Sequence, residues 1–581
     1  MRISLVVLFL AFAVEAQNVD LTFRRISADQ PYPEFCSVSH DGSLLSYLDS
    51  KTGNLAVRNL ATGETRALTK AGSPVGDHAM WSIFSRDNHQ IAFVWAGASG
   101  QEIRIADLGG SSARTIWKQP KQDWMTLNDW SPDGRQLLIA QTHYGTNTEI
   151  LLMSVTDGAV TRLKAQPTDA GRMAFSKDGK WIAHNGTQAS GDPEADIYLL
   201  SRDGAQDTPI VIHPANDSLL GWSADGTRIF FTSDRTGVIG LWTVGIQNGH
   251  VSGSPAMIKD EIGSVKVPLG VTDHNTLFYA STVSEIDVYE AVLNLEAGTV
   301  RLSGDPVTRH YAGANSYPSW SPEGDSFSYL SNPSSGRRIL FVQPRNAQAD
   351  KSFTPRLAWF NRPEWLNRGV IAVTGSDLAG MEGLYGIDPG TGDSRILLNR
   401  EENESVFHGQ WSRDGRSFYN RHADARKGIY RVDLTTRVKQ TIYVPSDAWR
   451  VAGAALSPDD GQLAFEEDDY STGLSRLLLL RLDGKTETRE LMRLAAGERF
   501  PCCRPFHFSP DSRHLLVVRA DSLEGTLWDI DLSAGRSRRL PLSGRGLMNP
   551  DLAPDGRRLL YQAGESRSEI WAVENTRFTP R

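Results

Sequence analysis

Short apolar runs alternate with polar turns along the whole chain, and the alternation returns on a near-constant period. Trp130-Ser131-Pro132-Asp133-Gly134-Arg135 reads as a strand end, a tight turn and the start of the next strand, and the apolar run Leu137-Leu138-Ile139-Ala140 follows at once. Ser suits the first turn position, Pro presets φ at the second, Asp tolerates the third, and Gly takes the left-handed fourth that a bulged hairpin needs. Aligned on that fourth position, the chain holds twelve units: Gly42, Asn88, Gly134, Gly179, Gly226, Asn275, Gly324, Gly369, Gly415, Gly461, Ser512 and Gly556, spaced 44 to 51 residues apart. Asn is the next best residue after Gly for a left-handed backbone, which leaves Ser512 as the one substitution that turn chemistry does not explain. Unit ten, Ser457-Pro458-Asp459-Asp460-Gly461, carries one extra residue in this alignment.

The residue just before the turn is Trp, Phe, Val or Leu throughout: Trp130, Trp222, Trp320, Trp365 and Trp411 in five units, Phe84, Phe175 and Phe508 in three. A large apolar side chain fixed at one strand position is what packing between neighbouring sheets requires. A β-rich run follows each turn, as in Ile91-Ala92-Phe93-Val94-Trp95. A second follows about 12 residues later, as in Ile150-Leu151-Leu152-Met153, and a last short strand closes the unit. No long 3.6-residue periodicity interrupts the pattern. Four short antiparallel strands per unit of this length predict β-propeller blades. Twelve blades exceed the roughly four to eight of one ring, so the expected fold is all-β, with tandem β-propellers of four-stranded antiparallel blades. Six plus six is favoured and seven plus five is the rival. The six-plus-six cut gives an N-terminal propeller over 17–308 and a C-terminal one over 309–581. Arg24-Arg25-Ile26-Ser27 resembles a fourth strand without a blade, and unit twelve stops soon after Glu569-Ile570-Trp571-Ala572-Val573. Residues 20–27 are therefore expected to complete the last blade, leaving no open sheet edge there. The alternative is that Arg577-Phe578-Thr579 supplies that strand.

The turn motif, Trp-Ser-Pro-Asp-Gly at 130–134, Phe-Ser-Lys-Asp-Gly at 175–179, Trp-Ser-Ala-Asp-Gly at 222–226 and Leu-Ala-Pro-Asp-Gly at 552–556, resembles the PD40 (WD40-like) repeat of TolB-like propellers. The resemblance covers roughly residues 24–574. It implies the fold strongly and the function weakly, because the repeat serves a periplasmic scaffold as well as the propeller modules of prolyl-oligopeptidase-like and tricorn-like peptidases. The chain departs from TolB itself in having about twice the blades and no room for an added α/β domain. No catalytic residue of these families maps onto a position in it.

At 581 residues the chain is long enough for several domains. Its net charge of −8 and the lack of any Lys/Arg run of five disfavour a nucleic acid or an anionic membrane as partner. Arg2, the apolar stretch Ile3 to Val14 and the small residues of Val14-Glu15-Ala16 predict a signal peptide over 1–16, hence export to the periplasm or beyond without membrane insertion after cleavage. Cys36, Cys502 and Cys503 are an odd number, so at least one stays unpaired within a monomer. Buried small apolar residues are the expected role.

Motifs for chemistry are sparse. Gly-x-Ser-x-Gly, phosphate-loop, dinucleotide, His-Glu-x-x-His, paired Cys-x-x-Cys and EF-hand patterns are all absent, and no cofactor or metal is expected. His78, His310 and His408 fall near the starts of innermost strands, where a propeller lyase or lactonase would place metal ligands. Loops that lead into innermost strands form a channel mouth, and rigid scaffolds position function on loops. The binding residues expected there are Tyr32, Asp77, His78, Asp123, Trp124, Lys266, Tyr311, Trp359, Trp449, Arg450 and Arg499. Aromatics mixed with charges suit a protein, peptide or glycan ligand. The leading reading is an exported, non-catalytic scaffold. A propeller lyase, lactonase or glycosidase, and an accessory module for a separate peptidase, are the alternatives.

Overall fold

The computed structural model describes residues 21–574 except 28–32, 74–76, 98–99, 111, 120–122, 144–146, 167–170, 187–194, 264, 311–312, 334–337, 347–348, 379, 400–408, 423–427, 447, 470–471, 485–486, 496–497, 502–504 and 522–523. The signal segment 1–16, Tyr32, Tyr311, His408, Cys502, Cys503 and Arg577-Phe578-Thr579 lie outside the described residues. What is described is an all-β propeller fold of four-stranded antiparallel sheets, with one 3-10 turn, Pro33–Phe35, and no α-helix. No helix among these residues is long and apolar enough to cross a membrane.

The repeated turn forms for the reasons its residues suggest. In the Ser131 turn, Gly134 N–H donates to the Ser131 carbonyl at 2.9 Å, and Gly134 sits at φ +72°. Ser131 does more than start the turn. Its hydroxyl donates to Asp133 at 2.6 Å and accepts from Gln136 N–H at 2.9 Å, which pins the first residue of the next strand. The same pair of bonds recurs at Ser85, Ser176, Ser223, Ser412, Ser457 and Ser509. In unit ten, Asp460 at φ +57° donates its N–H to the Ser457 carbonyl and fills the left-handed slot, so no residue is extra and Gly461 is the residue that leads into the next strand, Gln462–Asp469. Unit eight departs further. Asn367 pairs directly with Val370, so Gly369 belongs to a tighter hairpin and not to the repeated turn.

Neighbouring turns lock together. Where the second turn residue keeps its N–H, the next turn's left-handed residue can accept it: His40 N–H donates to Asn88 Oδ1 at 2.8 Å, Ala224 N–H to Asn275 Oδ1 at 2.7 Å and Arg413 N–H to Asp460 Oδ1 at 3.1 Å. The Asn residues are therefore specific acceptors as well as tolerated left-handed residues. Ser512 also faces the preceding turn, but there the second residue is Pro458, without an N–H, and the Ser512 hydroxyl bonds the Asp459 carboxylate instead.

The pre-turn aromatics pack against the preceding sheet. Trp130 is buried among Ile83, Val94, Ile103 and Ile105 of unit two, and Phe175 among Leu138, Ala140 and Ile150 of unit three. Burial of such large side chains is the main stabilising term between sheets. Cys36 is buried, packed with Val38, Leu269 and Ile570.

Ten of the twelve sheets among the described residues are built from consecutive strands; two are not. Val265–Val271 and Leu277–Ser284 of unit six pair onward to Ser566–Glu574 and then to the N-terminal strand Thr22–Ser27. The other halves of the same units, Met548–Leu552, Arg558–Ala563, Asp287–Asn294 and Thr299–Pro306, form one sheet together. The chain changes sheet partners at Glu285–Ile286 and changes back at Gly564–Glu565, not at the expected 308/309. The N-terminal strand likewise joins a sheet whose inner strands come from unit six instead of unit twelve. In effect residues 287–563 are inserted into the hairpin that would join Ser284 to Ser566. The two passages touch: Glu285 N–H donates to the Glu565 carbonyl at 2.7 Å, and Gly564, at φ +120°, lies where an added Cβ would overlap the Glu285 carbonyl.

Innermost strands of the first set contact one another in a closed circuit, from Ser37–Val38 through His78–Phe84, Asp123–Trp130, Ala174–Phe175, Asp217–Trp222 and Val265–Val271 back to Ser37–Val38. The inserted segment makes a second circuit that opens with Gly313–Trp320 and ends with Met548–Leu552 packed back against it.

Candidate functional site

The second residue of the repeated turn differs between the two circuits. In the inserted segment it is Pro322, Pro458, Pro510 and Pro554, with Arg413 the exception among the repeated turns. In the first circuit it is His40, Arg86, Pro132, Lys177, Ala224 and Asp273. Five of these six line one cavity of about 110 Å³, walled by residues from all six inner strands, among them Phe84, Phe175, Leu220 and Val271. Arg172 and Asp129 reach the same cavity.

Its charges are unevenly satisfied. Asp129 is well used: Oδ1 accepts from Trp130 N–H at 2.8 Å, and Oδ2 accepts from Phe175 N–H at 2.8 Å and Arg86 Nη2 at 3.3 Å. Arg86 is held loosely, with its other Nη 3.4 Å from His40 Nδ1 and its buried Nε without a partner. Burial, and then the Arg86 charge, push His40 below the usual histidine range against the pull of Asp129 and Asp273, so the imidazole is neutral. A ring that accepts from Arg86 at Nδ1 carries its proton on Nε2, the nitrogen left to donate to the Phe84 carbonyl. Lys177 turns to the Ala224 carbonyl at 2.9 Å. Among the described residues Arg172 has no hydrogen-bond or ion-pair partner. Burial pushes its guanidinium below the ordinary arginine value, and Asp129 opposes that only at a distance. A partly buried cation with unfilled donors in a recessed space attracts an anion.

At the other end of these strands stand the residues expected from sequence. Trp124, 38% exposed, meets Trp81 edge to face at 4.9 Å, and Trp81 meets Phe35 in the same way at 5.1 Å. Asp77 is exposed beside Gly97, and His78 opens the strand His78–Phe84 opposite Ala96. Asp123 opens the strand Asp123–Trp130 and Lys266 lies within Val265–Val271. The remaining four belong to the inserted segment. Trp359 begins the strand Trp359–Asn367, and Arg499 is exposed opposite Ala520. Trp449 stacks under Arg476 at 4.0 Å and Arg493 at 5.7 Å, and its carbonyl accepts from Arg450. The expected residues thus form no single cluster. His78 and His310 stand in different circuits, and His310 is engaged with Asp350 at 3.3 Å and stacked on Phe341. Among the described residues no three His, Cys, Asp or Glu side chains are placed to share a metal.

Sequence reading missed His40, Arg86, Arg172 and Lys177, although a signal exists. The second turn position is mostly proline in the later units and titratable in four of the six early ones. Arg172 also stands seven residues before its turn glycine, where units one, two, three and five carry Phe35, Trp81, Leu127 and Leu219.

No family model matches the chain. It is 22% identical over 287 residues to an uncharacterised protein of Agrobacterium fabrum, covering 40% of this chain and 93% of that one. It is 24% identical over 240 residues to the Tol-Pal system protein TolB of Francisella tularensis subsp. mediasiatica, covering 41% of this chain and 52% of TolB, so the match spans about half the length of that relative. Among solved structures, the β-propeller domain of the Trilobed protease from Pyrococcus furiosus aligns with 55% of this chain and 97% of its own at 19% identity and a TM-score of 0.30. The chain is thus similar to TolB-like propellers.

Proposed function

We propose that this chain is an exported, non-catalytic scaffold of two six-bladed propellers, and that it binds a protein or peptide through the axial channel of the first. The observation that carries the reading is the cavity at the turn end of that channel, where Arg86 Nε and the Arg172 guanidinium have no partner among the described residues. Such donors in a recessed, partly apolar space are what a binding pocket offers before its ligand arrives. Trp124, exposed near the start of its strand at the opposite end, offers an aromatic surface for the rest of a ligand. TolB is named for the Tol-Pal system; for this chain, export and a protein partner remain part of the proposal.

Purified protein, with and without added Mn2+ or Zn2+, is incubated with panels of peptides, lactones and polysaccharides. Binding without turnover is expected. Turnover that disappears in a cavity variant such as R86Q overturns the scaffold reading.

A further inference from the structure

We propose that the cavity at the turn end of the first circuit is a carboxylate pocket, and that its ligand is an acidic peptide whose side-chain or terminal carboxylate seats on Arg172 and Arg86. The inference rests on the scaffold reading and names the chemistry of its ligand.

Three observations converge. The charge facing the cavity is net positive: Arg86, Arg172 and Lys177 stand against Asp129 and Asp273, and His40 is neutral. The negative groups do not quench the arginines. Both oxygens of Asp129 already accept backbone N–H groups, Arg86 reaches Asp129 only at 3.3 Å, and Arg172 forms no ion pair with either aspartate. Asp273 is exposed at the rim. A guanidinium presents a fork of donors that matches a carboxylate, and a partly buried fork without a partner gains most from one.

Size selects the class of anion. A cavity of about 150 Å³ is what a benzene ring fills, so the 110 Å³ here holds a carboxylate and a few methylenes but not a sugar ring. The apolar wall of Phe84, Phe175, Leu220 and Val271 suits the methylenes of a glutamate better than a bare oxyanion. An extended peptide is the one carrier that can deliver such a group down a channel while its backbone stays at the mouth. A uronic acid glycan or free phosphate would satisfy the charge but not the shape.

The test uses the full chain and calorimetric titration with tri-glutamate, C-terminally amidated tri-glutamine (which carries no carboxylate), galacturonate and inorganic phosphate. Tri-glutamate is expected to bind at least about tenfold tighter than the other three, a difference of about 1.4 kcal/mol. R172Q is expected to lose about tenfold in tri-glutamate affinity, with R172K keeping part of it. Melting separates a binding role from a structural one. Because Arg172 is an unpaired, partly buried charge, R172Q is expected to melt at or above the wild-type temperature, whereas a structural arginine would lower it. Equal affinity for tri-glutamine, tighter binding of galacturonate or phosphate, unchanged affinity in R172Q, or a lowered melting temperature in R172Q each overturns the carboxylate pocket. None of these touches the scaffold reading, which falls only if the chain turns a substrate over.

Discussion

The contact between the two chain passages supports a quantitative prediction. Gly564 sits at φ +120°, and the space its Cβ would take belongs to the backbone of Glu285 and Ile286. Gly134 sits at φ +72° with nothing within 4 Å of an added Cβ. G134A therefore meets only the left-handed strain, about 1–2 kcal/mol. G564A meets backbone strain of about 1–3 kcal/mol and must also push the passages apart. That movement loosens the bonds from Glu285 N–H to the Glu565 carbonyl and from Gly564 N–H to the Arg545 carbonyl, each contributing about 1 kcal/mol net. The expected loss is about 4 kcal/mol, at least twice that of G134A. Urea unfolding of the full chain, followed by tryptophan fluorescence, measures both variants beside the wild type. G134N serves as a control and should recover part of the G134A loss, because Asn88 and Asn275 hold the same position at φ +56° and +59°. If G564A is no more destabilising than G134A, the passages are not in contact and the insertion topology is wrong.

Two further outcomes follow from the turns and from a buried carboxyl. S131A removes a hydroxyl that both donates to Asp133 and accepts from Gln136 N–H, and should cost about 1–3 kcal/mol in the same unfolding assay. It should also let Asp133 rise from about 2 toward the ordinary value. Burial works against the low value, and the Ser131 hydroxyl, the Arg135 N–H and Arg202 outweigh it. Because the folded value is depressed, the stability from Asp133 is present above about pH 4 and is lost as pH falls toward about 2; S131A should flatten that loss. Glu466 behaves oppositely. Burial first, then the neighbouring Asp468 carboxylate, hold its carboxyl well above the usual range, against a bond from Gly453 N–H. A raised folded value means that its stabilising effect is complete below about pH 4.5 and lost as pH rises. E466Q should therefore melt higher than wild type at pH 8 and no higher at pH 4; equal differences at both values would refute the argument.

The parts of this fold that repeat were legible. A period of four short strands, a turn that needs a left-handed residue and an aromatic fixed beside it, such as Trp130 or Phe175, led to blades and to the packing between them. The exchange between units six and twelve was not legible for the same reason. Every unit carries the same alternation, so Leu277–Ser284 loses nothing by pairing with Ser566–Glu574 instead of Asp287–Asn294, and only the structure shows which it chose. The channel site was hidden by an expectation about place. The turn residues repeat as architecture, whereas aromatics and charges stand out in sequence near the strand starts, where Trp124 meets Trp81 but Trp359, Trp449, Arg450 and Arg499 belong to another circuit. His40, Arg86 and Lys177 sit inside the turn motif itself, at a position whose chemistry the motif leaves free once proline is absent.

The insertion sets an order for biosynthesis. Residues 287–563 contain every strand of their own circuit, so that half can complete itself while the rest of the chain is still being made. The earlier half cannot. Its last sheet needs Thr22–Ser27 and Ser566–Glu574 together, pairings more than 500 residues apart in sequence, and contacts of such separation form slowly. Five sheets made early must wait, edges exposed, for a strand that is among the last to be made. In such an interval a chain depends on chaperones or on fast completion of the insert. The residues that line the pocket with Arg86 and Arg172 all precede the insert, but the sheet carrying Leu269 and Val271 is completed only by that strand, so a product truncated before it would carry the inserted propeller intact beside a first propeller whose last sheet is unfinished.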